Sequence, residues 1–337
     1  MKGTNIFPLT VHKKTAGIFL VFVFFLALVN TCGCINDQEN TIKISGAFAL
    51  YPMMGTWADE YQRLHPDIKI DLSAGGAGKG MSDALMGIVD IGMVSREIYQ
   101  AEIDQGVFWV SVAKDAVVAT INSENPVVDT LLEQGVTKQQ FEGIFLSREI
   151  QTWGELVNST EHDKRIRVYT RSDACGAAQT WAQYLGDYTQ DDLTNVADSA
   201  INDDPNLAAA VQGDSTATGY NNINFVYDPM TKEPYAGLLP LPIDLNGNGH
   251  LDDNESFYGN RTAMVNAIAQ NIYPSPPARA LHLVTKNNFT GATKDFVHWI
   301  LTDGQSLVPE SGYVQLSQEL MMQQLEYLET GVRPEIS

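Results

Sequence analysis

Three short stretches of the chain carry residues suited to an anion. Ser45-Gly46-Ala47-Phe48-Ala49, Gly75-Gly76-Ala77-Gly78-Lys79-Gly80 and Arg171-Ser172-Asp173-Ala174-Cys175-Gly176-Ala177 each set small residues between a strand-like and a helix-like segment. Small residues let the backbone come close to a ligand. A helix N-terminus at the same place offers unpaired N–H groups and the positive end of a dipole. Lys79 and Arg171 add charge, and a guanidinium holds two oxygens at once. The competing reading is helix capping by Ser45, Ser172 or Asp173, with the glycines serving only tight turns. The glycine loop does not suit a nucleotide. Ser73 stands where the first glycine of a phosphate loop belongs, and Gly80 replaces the hydroxyl residue expected after Lys79.

A second constellation has the donors of a hard cation. Asp244-Leu245-Asn246-Gly247-Asn248-Gly249-His250-Leu251-Asp252-Asp253-Asn254-Glu255 matches the twelve-residue EF-hand calcium loop at each diagnostic position. Asp244, Asn246 and Asn248 supply side-chain oxygens, His250 its carbonyl, Asp252 an oxygen often reached through water, and Glu255 both carboxylate oxygens. Gly249 permits the sharp turn. Pro240-Leu241-Pro242 precludes an ordinary flanking helix. The expectation is therefore an isolated loop holding a structural Ca2+, set against the alternative of a solvated Asn/Asp/Gly turn. Cys175 invites an enzymatic reading, because a thiol at a helix N-terminus near Arg171 should have a lowered pKa. None of the six histidines stands in a recognisable Cys–His context, so the base is missing.

The elements that must position these residues alternate in the manner of an α/β fold. Short apolar runs over 41–44, 68–72, 90–94 and 116–121 predict strands. Tyr51, Met54, Trp57, Ala58 and Tyr61 recur at spacings of three and four and predict a helix over 50–64, stopped by Pro66. A second helix runs from the glycine loop through Met86. In the following block the pattern predicts helices near 131–132 and over 138–145, 174–185 and 206–212, with strands over 165–170 and 219–226. After Tyr273-Pro274-Ser275-Pro276-Pro277 come a strand over 280–285 and helices over 293–301 and 316–328. Two such blocks, with the chain crossing near 122 and again near 275, predict a two-lobed protein. Lobe I comprises 42–122 with 275–337, lobe II comprises 123–274, and the ligand sits in the cleft between them.

The N-terminus reads as an address. Lys2, Lys13 and Lys14 precede a charge-free apolar run over 16–29, too short to span a bilayer and matching a secretory leader over 1–33. Gly33-Cys34 resembles the lipobox of prokaryotic lipoproteins, with Cys34 lipidated and 34–41 a tether. Cys32 is the competing lipidation site, and an uncleaved anchor the competing topology. Either way the remainder lies outside the cytoplasm, held at the outer face of the membrane. Of 337 residues, 41 are acidic and 21 basic, a net charge of −20 that argues against a nucleic-acid partner. Three cysteines, at 32, 34 and 175, exclude a disulfide framework.

Taken in order, Ser45-Gly46-Ala47-Phe48-Ala49-Leu50-Tyr51-Pro52, the loop 75–80, Asp90-Ile91-Gly92-Met93-Val94-Ser95-Arg96, the segment 171–177 and Gly312-Tyr313-Val314 resemble the phosphate-binding proteins of ABC importers. The resemblance covers most of the chain after Thr41. It implies the type II periplasmic-binding-protein fold and a monomeric solute-binding lipoprotein serving a membrane permease. It places a small oxyanion against Ala47, Phe48, Ala77, Gly78, Lys79, Ser95, Arg96, Arg171, Cys175, Gly176 and Ala177. Members usually carry Ser or Thr hydroxyls where this chain has Ala47, Phe48, Ala77 and the Cys175-Gly176-Ala177 run. Four lost hydrogen bonds amount to roughly 2–6 kcal/mol unless Lys79 compensates by charge. The anion's identity, phosphate or another oxyanion, therefore stays open. So do two other readings, an exported hydrolase using Cys175 and a cell-surface binding protein without a transport role.

Overall fold

The computed structural model describes Met1, Gly3 and residues 40–334. Apart from those first two residues, the expected leader and the lipidated Cys34 lie outside the described part. Among the described residues nine strands form one curled sheet: β1 (Thr41–Gly46), β2 (Lys69–Ala74), β3 (Ile91–Val94), β4 (Val107–Asn122), β5 (Arg167–Arg171), β6 (Ser199–Ile201), β7 (Ala217–Asn222), β8 (Leu238–Pro240) and β9 (Ala278–Lys286). Their order is β2-β1-β3-β9-β4-β7-β5-β6, with β8 paired to β4. Strand β1 runs parallel to β2 and β3, and β5 parallel to β6 and β7. Antiparallel β4 and β9 join the two parallel groups.

The helices are α1 (Tyr51–Leu64), α2 (Ala77–Leu85), α3 (Gln100–Asp104), α4 (Val128–Gln134), α5 (Lys138–Phe145), α6 (Trp153–Leu156), α7 (Gly176–Leu185), α8 (Gln190–Val196), α9 (Asp204–Gln212), α10 (Arg261–Ala269), α11 (Gly291–Leu301) and α12 (Gln318–Thr330). In α1, Met53, Met54, Trp57, Ala58 and Tyr61 are buried on one stripe, and the Trp57 indole donates to the Gly304 carbonyl at 2.8 Å. Helix α2 lies so close on the sheet that a Cβ at Gly80 would stand 2.8 Å from the Gly46 Cα. Only glycine allows that approach, and it brings the N-terminus of α2 up to the end of β1.

Two large hydrophobic cores result. The first gathers Ile44, Trp57, Met93, Phe108, Leu283, Phe296 and Ile300. The second gathers Val118, Phe141, Phe145, Trp153, Trp181, Tyr220 and Met264. The architecture is the mixed α/β, two-lobed arrangement that the alternation of elements predicts. Strand β4 begins at Val107, ahead of the predicted 116–121; Lys114 and Asp115 interrupt the apolar run and part its first half, with Phe108-Trp109-Val110, from the predicted stretch. The passage between cores falls inside this strand, Ala113 packing in the first and Ala116 in the second, ahead of the turn near 122. Helices α3, α6, α8 and α10, with strands β6 and β8, have no counterpart in the sequence reading, being short or weakly amphipathic.

Candidate functional site

The three anion-suited turns meet. The Gly75 and Gly76 N–H groups both donate to the Gly46 carbonyl at 3.0 Å, and the Ala47 N–H donates to Met93 at 2.9 Å. From the other core, the Ala174 carbonyl accepts the Gly78 N–H at 3.0 Å. Gly176 faces Ser95 so closely that any Cβ there would collide with the Ser95 carbonyl and hydroxyl. The Arg171 guanidinium stands 5.6 Å from the centre of the Phe48 ring. Ala47, Ala77, Ser95, Arg171, Cys175, Gly176 and Ala177 are all buried at this seam.

Capping does not consume the helix ends. Helices α1 and α2 have no side-chain cap, and the Ser45 hydroxyl donates instead to Asp83 at 2.6 Å. In α7 the cap is neither Ser172 nor Asp173; the Cys175 sulfur accepts the Ala178 N–H at 3.4 Å. The N–H groups of Phe48, Ala77, Lys79, Gly176 and Ala177 take part in no hydrogen bond to another described residue. Five unspent donors at three helix-leading turns are suited to oxygens of an anion.

The charged residues are more committed than their sequence suggests. Arg171 is fully buried; its Nε and Nη2 donate to Asp173 at 2.8 and 2.6 Å, and its Nη1 to Asp204 at 2.6 Å. Burial alone would lower its pKa, but Asp204, Cys175 and Asp173 outweigh that and hold it above its ordinary value. Two of its five N–H bonds are left over. Lys79 pairs with Asp83, four residues on. Burial raises the Asp83 pKa, yet bonds from Lys79 and Ser45 bring it below the ordinary carboxylate value. Arg96 makes a forked pair with Glu102 at 2.6 and 3.0 Å and covers the Tyr99 ring. It lines a cavity of about 600 Å³ with Thr180, Arg279 and His282, none of them in the three turns.

Two partners went unnoticed in the sequence. Asp204, in the first turn of α9, also accepts from the Asn222 N–H and side-chain amide at 3.0 and 2.8 Å, tying β5, β7 and α9 together. In sequence it belongs only to a helix start beside Pro205. Asp83 had a signal, its spacing of four from Lys79. The Cys175 expectation reverses: burial pushes its thiol up to about 11 although Arg171 pulls it down. A buried neutral thiol without a base is a poor nucleophile.

The candidate calcium loop folds on its own oxygens. Asp244 accepts the Gly247 and Gly249 N–H groups at 2.7 and 2.9 Å, and Asn246 and Asn248 accept those of Asn248 and His250 at 3.0 and 2.8 Å. Glu255 accepts from Leu245 and Asp252 at 3.0 and 3.1 Å. Asp252 turns to the side-chain amides of Asn246 and Asn248 at 2.7 and 2.9 Å. Among the described residues no three His, Cys, Asp or Glu side chains are grouped to hold a metal ion. Among those residues, too, no helix is long and apolar enough to cross a membrane.

Comparison with known proteins agrees with this architecture. The chain is similar to the phosphate-binding protein PstS of Methanocaldococcus jannaschii, 24% identical over 91% of this chain and 93% of that one. It is 23% identical to PstS of Bacillus subtilis, over 90% and 94%. Among solved structures, a phosphate ABC transporter substrate-binding protein from Clostridium perfringens with bound phosphate superposes with a TM-score of 0.66 at 23% identity. That match covers 82% of this chain and all of the other. An ABC-type phosphate transport receptor from Vibrio cholerae gives 0.57 at 20% identity, with the same coverage. A family model described as a PBP superfamily domain matches residues 36–304. With its curled sheet and helix ends facing one seam, the chain belongs to the PBP superfamily.

Proposed function

We propose that this chain is the extracytoplasmic solute-binding component of an ABC importer. It closes its two lobes on inorganic phosphate or a similar oxyanion and delivers it to a membrane permease. The observation that carries this reading is the set of unspent N–H donors at Phe48, Ala77, Lys79, Gly176 and Ala177, gathered from both sides of one seam. Relatives spanning nearly the whole chain and named as phosphate-binding proteins support it. A thermal-shift series over phosphate, sulfate and small phosphate esters tests it. A ligand at 100 times its dissociation constant should stabilise the protein by about 2.7 kcal/mol. No rise with any oxyanion would overturn it. The same reading has the chain a monomer tethered through lipidated Cys34. Cys34→Ser should then release it to the medium, and release by Cys32→Ser alone would move the anchor.

A structural Ca2+ in the loop 244–255 belongs to this proposal as a second, separate site. Asp244, Asn246, Asn248, the His250 carbonyl, Asp252 and Glu255 would hold it. The support is chemical: Asp244 and Glu255 are 4% and 1% exposed, and among the described residues neither carboxylate pairs with a cationic side chain. Buried like charges on one loop repel unless a cation intervenes. Chelation, or Glu255→Ala, should lower the melting temperature while changing oxyanion affinity only modestly. A melting curve indifferent to both would reduce the segment to a polar turn.

A further inference from the structure

A buried cation elsewhere in the molecule lacks an anionic partner. Arg261, in the first turn of α10, is 4% exposed, and among the described residues no carboxylate lies within 4 Å of its guanidinium. Its contacts are oxygens without formal charge: the Asn224 side chain at 3.1 Å and the carbonyls of Pro229, Glu310 and Ser311 at 3.4–3.5 Å. Its Nε–H has no partner among the described residues. Buried charges are ordinarily paired, and the Arg171 and Arg279 guanidiniums of this chain both are. Burial accordingly lowers the Arg261 pKa.

This guanidinium borders a cavity of about 550 Å³, lined also by Lys232, Thr262, Asn266, Glu310 and Gly312. Gly312, at φ +84°, lies flat against it: a Cβ there would stand 2.6 Å from both Cζ and Nε. Lys232 is half-buried, and among the described residues its ammonium donates to the Pro229 carbonyl alone, at 2.5 Å. At the start of α10, the Arg261 and Ala263 N–H groups bond to Lys232 and Asn260, while that of Thr262 has no partner among the described residues. Two carboxylates oppose these donors. Glu310 is on the cavity wall, and Asp228 acts on Arg261 from beyond hydrogen-bond reach while accepting the Met230 and Thr231 N–H groups at 2.8 Å.

We propose that this cavity is a second anion site, taking one small oxyanion group, inorganic or carboxylate, against Arg261, Lys232 and the Thr262 N–H. It stands apart from the turns at 45–49, 75–80 and 171–177 and does not depend on what they bind. Helix α10 packs in the second core through Met264 and Ile268, and the segment bearing Gly312 packs in the first through Val308 and Tyr313. An anion held here therefore bridges the two cores.

The test is an amide-resolved NMR titration of the purified chain with sodium acetate and with sodium phosphate, against sodium chloride at equal ionic strength. Saturable shifts should centre on Thr262, Ala263 and Gly312 with both oxyanions and be absent with chloride. Loss of one charge-assisted contact should weaken binding about tenfold or more. Lys232→Gln removes a half-buried ammonium that pairs with no carboxylate among the described residues, and should do this with little change in melting temperature. Arg261→Gln should abolish the shifts, and Arg261→Lys should retain part of them. Shifts that are equal in chloride, or unchanged in Lys232→Gln and Arg261→Gln, would overturn the site. Because acetate reports on this cavity whether or not phosphate binds the principal seam, the two proposals fail separately.

Discussion

Gly176→Ala separates closure from folding. Gly176 opens α7 with no left-handed backbone angle, so alanine is sterically acceptable within its own helix and slightly favoured there. What its methyl meets is Ser95, on the other core: the backbone carbonyl, which cannot swing aside, and the hydroxyl, which can. Overpacking of this kind costs about 1–3 kcal/mol, charged here to the form in which the cores touch. A ligand that needs that form should bind about 5- to 150-fold more weakly, while the melting temperature of the ligand-free chain stays level or falls little. Calorimetric titration with inorganic phosphate beside a melting curve reads both, and X-ray scattering should show a more open particle. Affinity within twofold of the parent would refute the reasoning, because the seam would then not be where the ligand is enclosed.

Three further outcomes follow from the same geometry. Arg171→Ala should cost about 3–5 kcal/mol of stability in denaturant unfolding, since it strands the fully buried Asp204 and unpairs the partly buried Asp173, and adding Asp204→Asn should recover part of it. Ala77→Ser and Ala177→Thr, which add hydroxyls beside unspent N–H groups, should each tighten phosphate by about 2- to 12-fold in calorimetry. The third concerns acid. Burial, with the charges of Arg96 and Arg279, lowers His282 from 6.5 to about 4. Between those values the unfolded chain binds a proton that the folded one refuses, so stability falls as pH drops through that window, by up to about 3 kcal/mol. His282→Gln should flatten that part of the profile, and an unchanged slope would assign it elsewhere.

Much of this molecule was legible in the residues alone, and for local reasons. The α1 stripe of Met54, Trp57, Ala58 and Tyr61 declares its period within fourteen residues, and Pro66 ends it. Ser45-Gly46-Ala47 and Gly75 to Gly80 advertise close backbone approach because glycine and alanine dominate them. Fold class and the location of the three turns needed no more than this.

Partnership was decided only in three dimensions. Arg171 looked like an anion-binding charge, yet Asp204, thirty-three residues away, claims one side of it once β5 and α9 come together. Cys175 looked activated by a helix end, but packing in the second core removes the water a thiolate needs, and desolvation outweighs Arg171. The first half of β4 was hidden because Lys114 and Asp115 break the apolar run in mid-strand, and the buried Asp115 finds its partner in Arg279, far along the chain. Sequence spacing specifies which face a side chain takes within one element. Whether a charge is spent or free depends on which distant element packs against it, and that is a property of the folded chain.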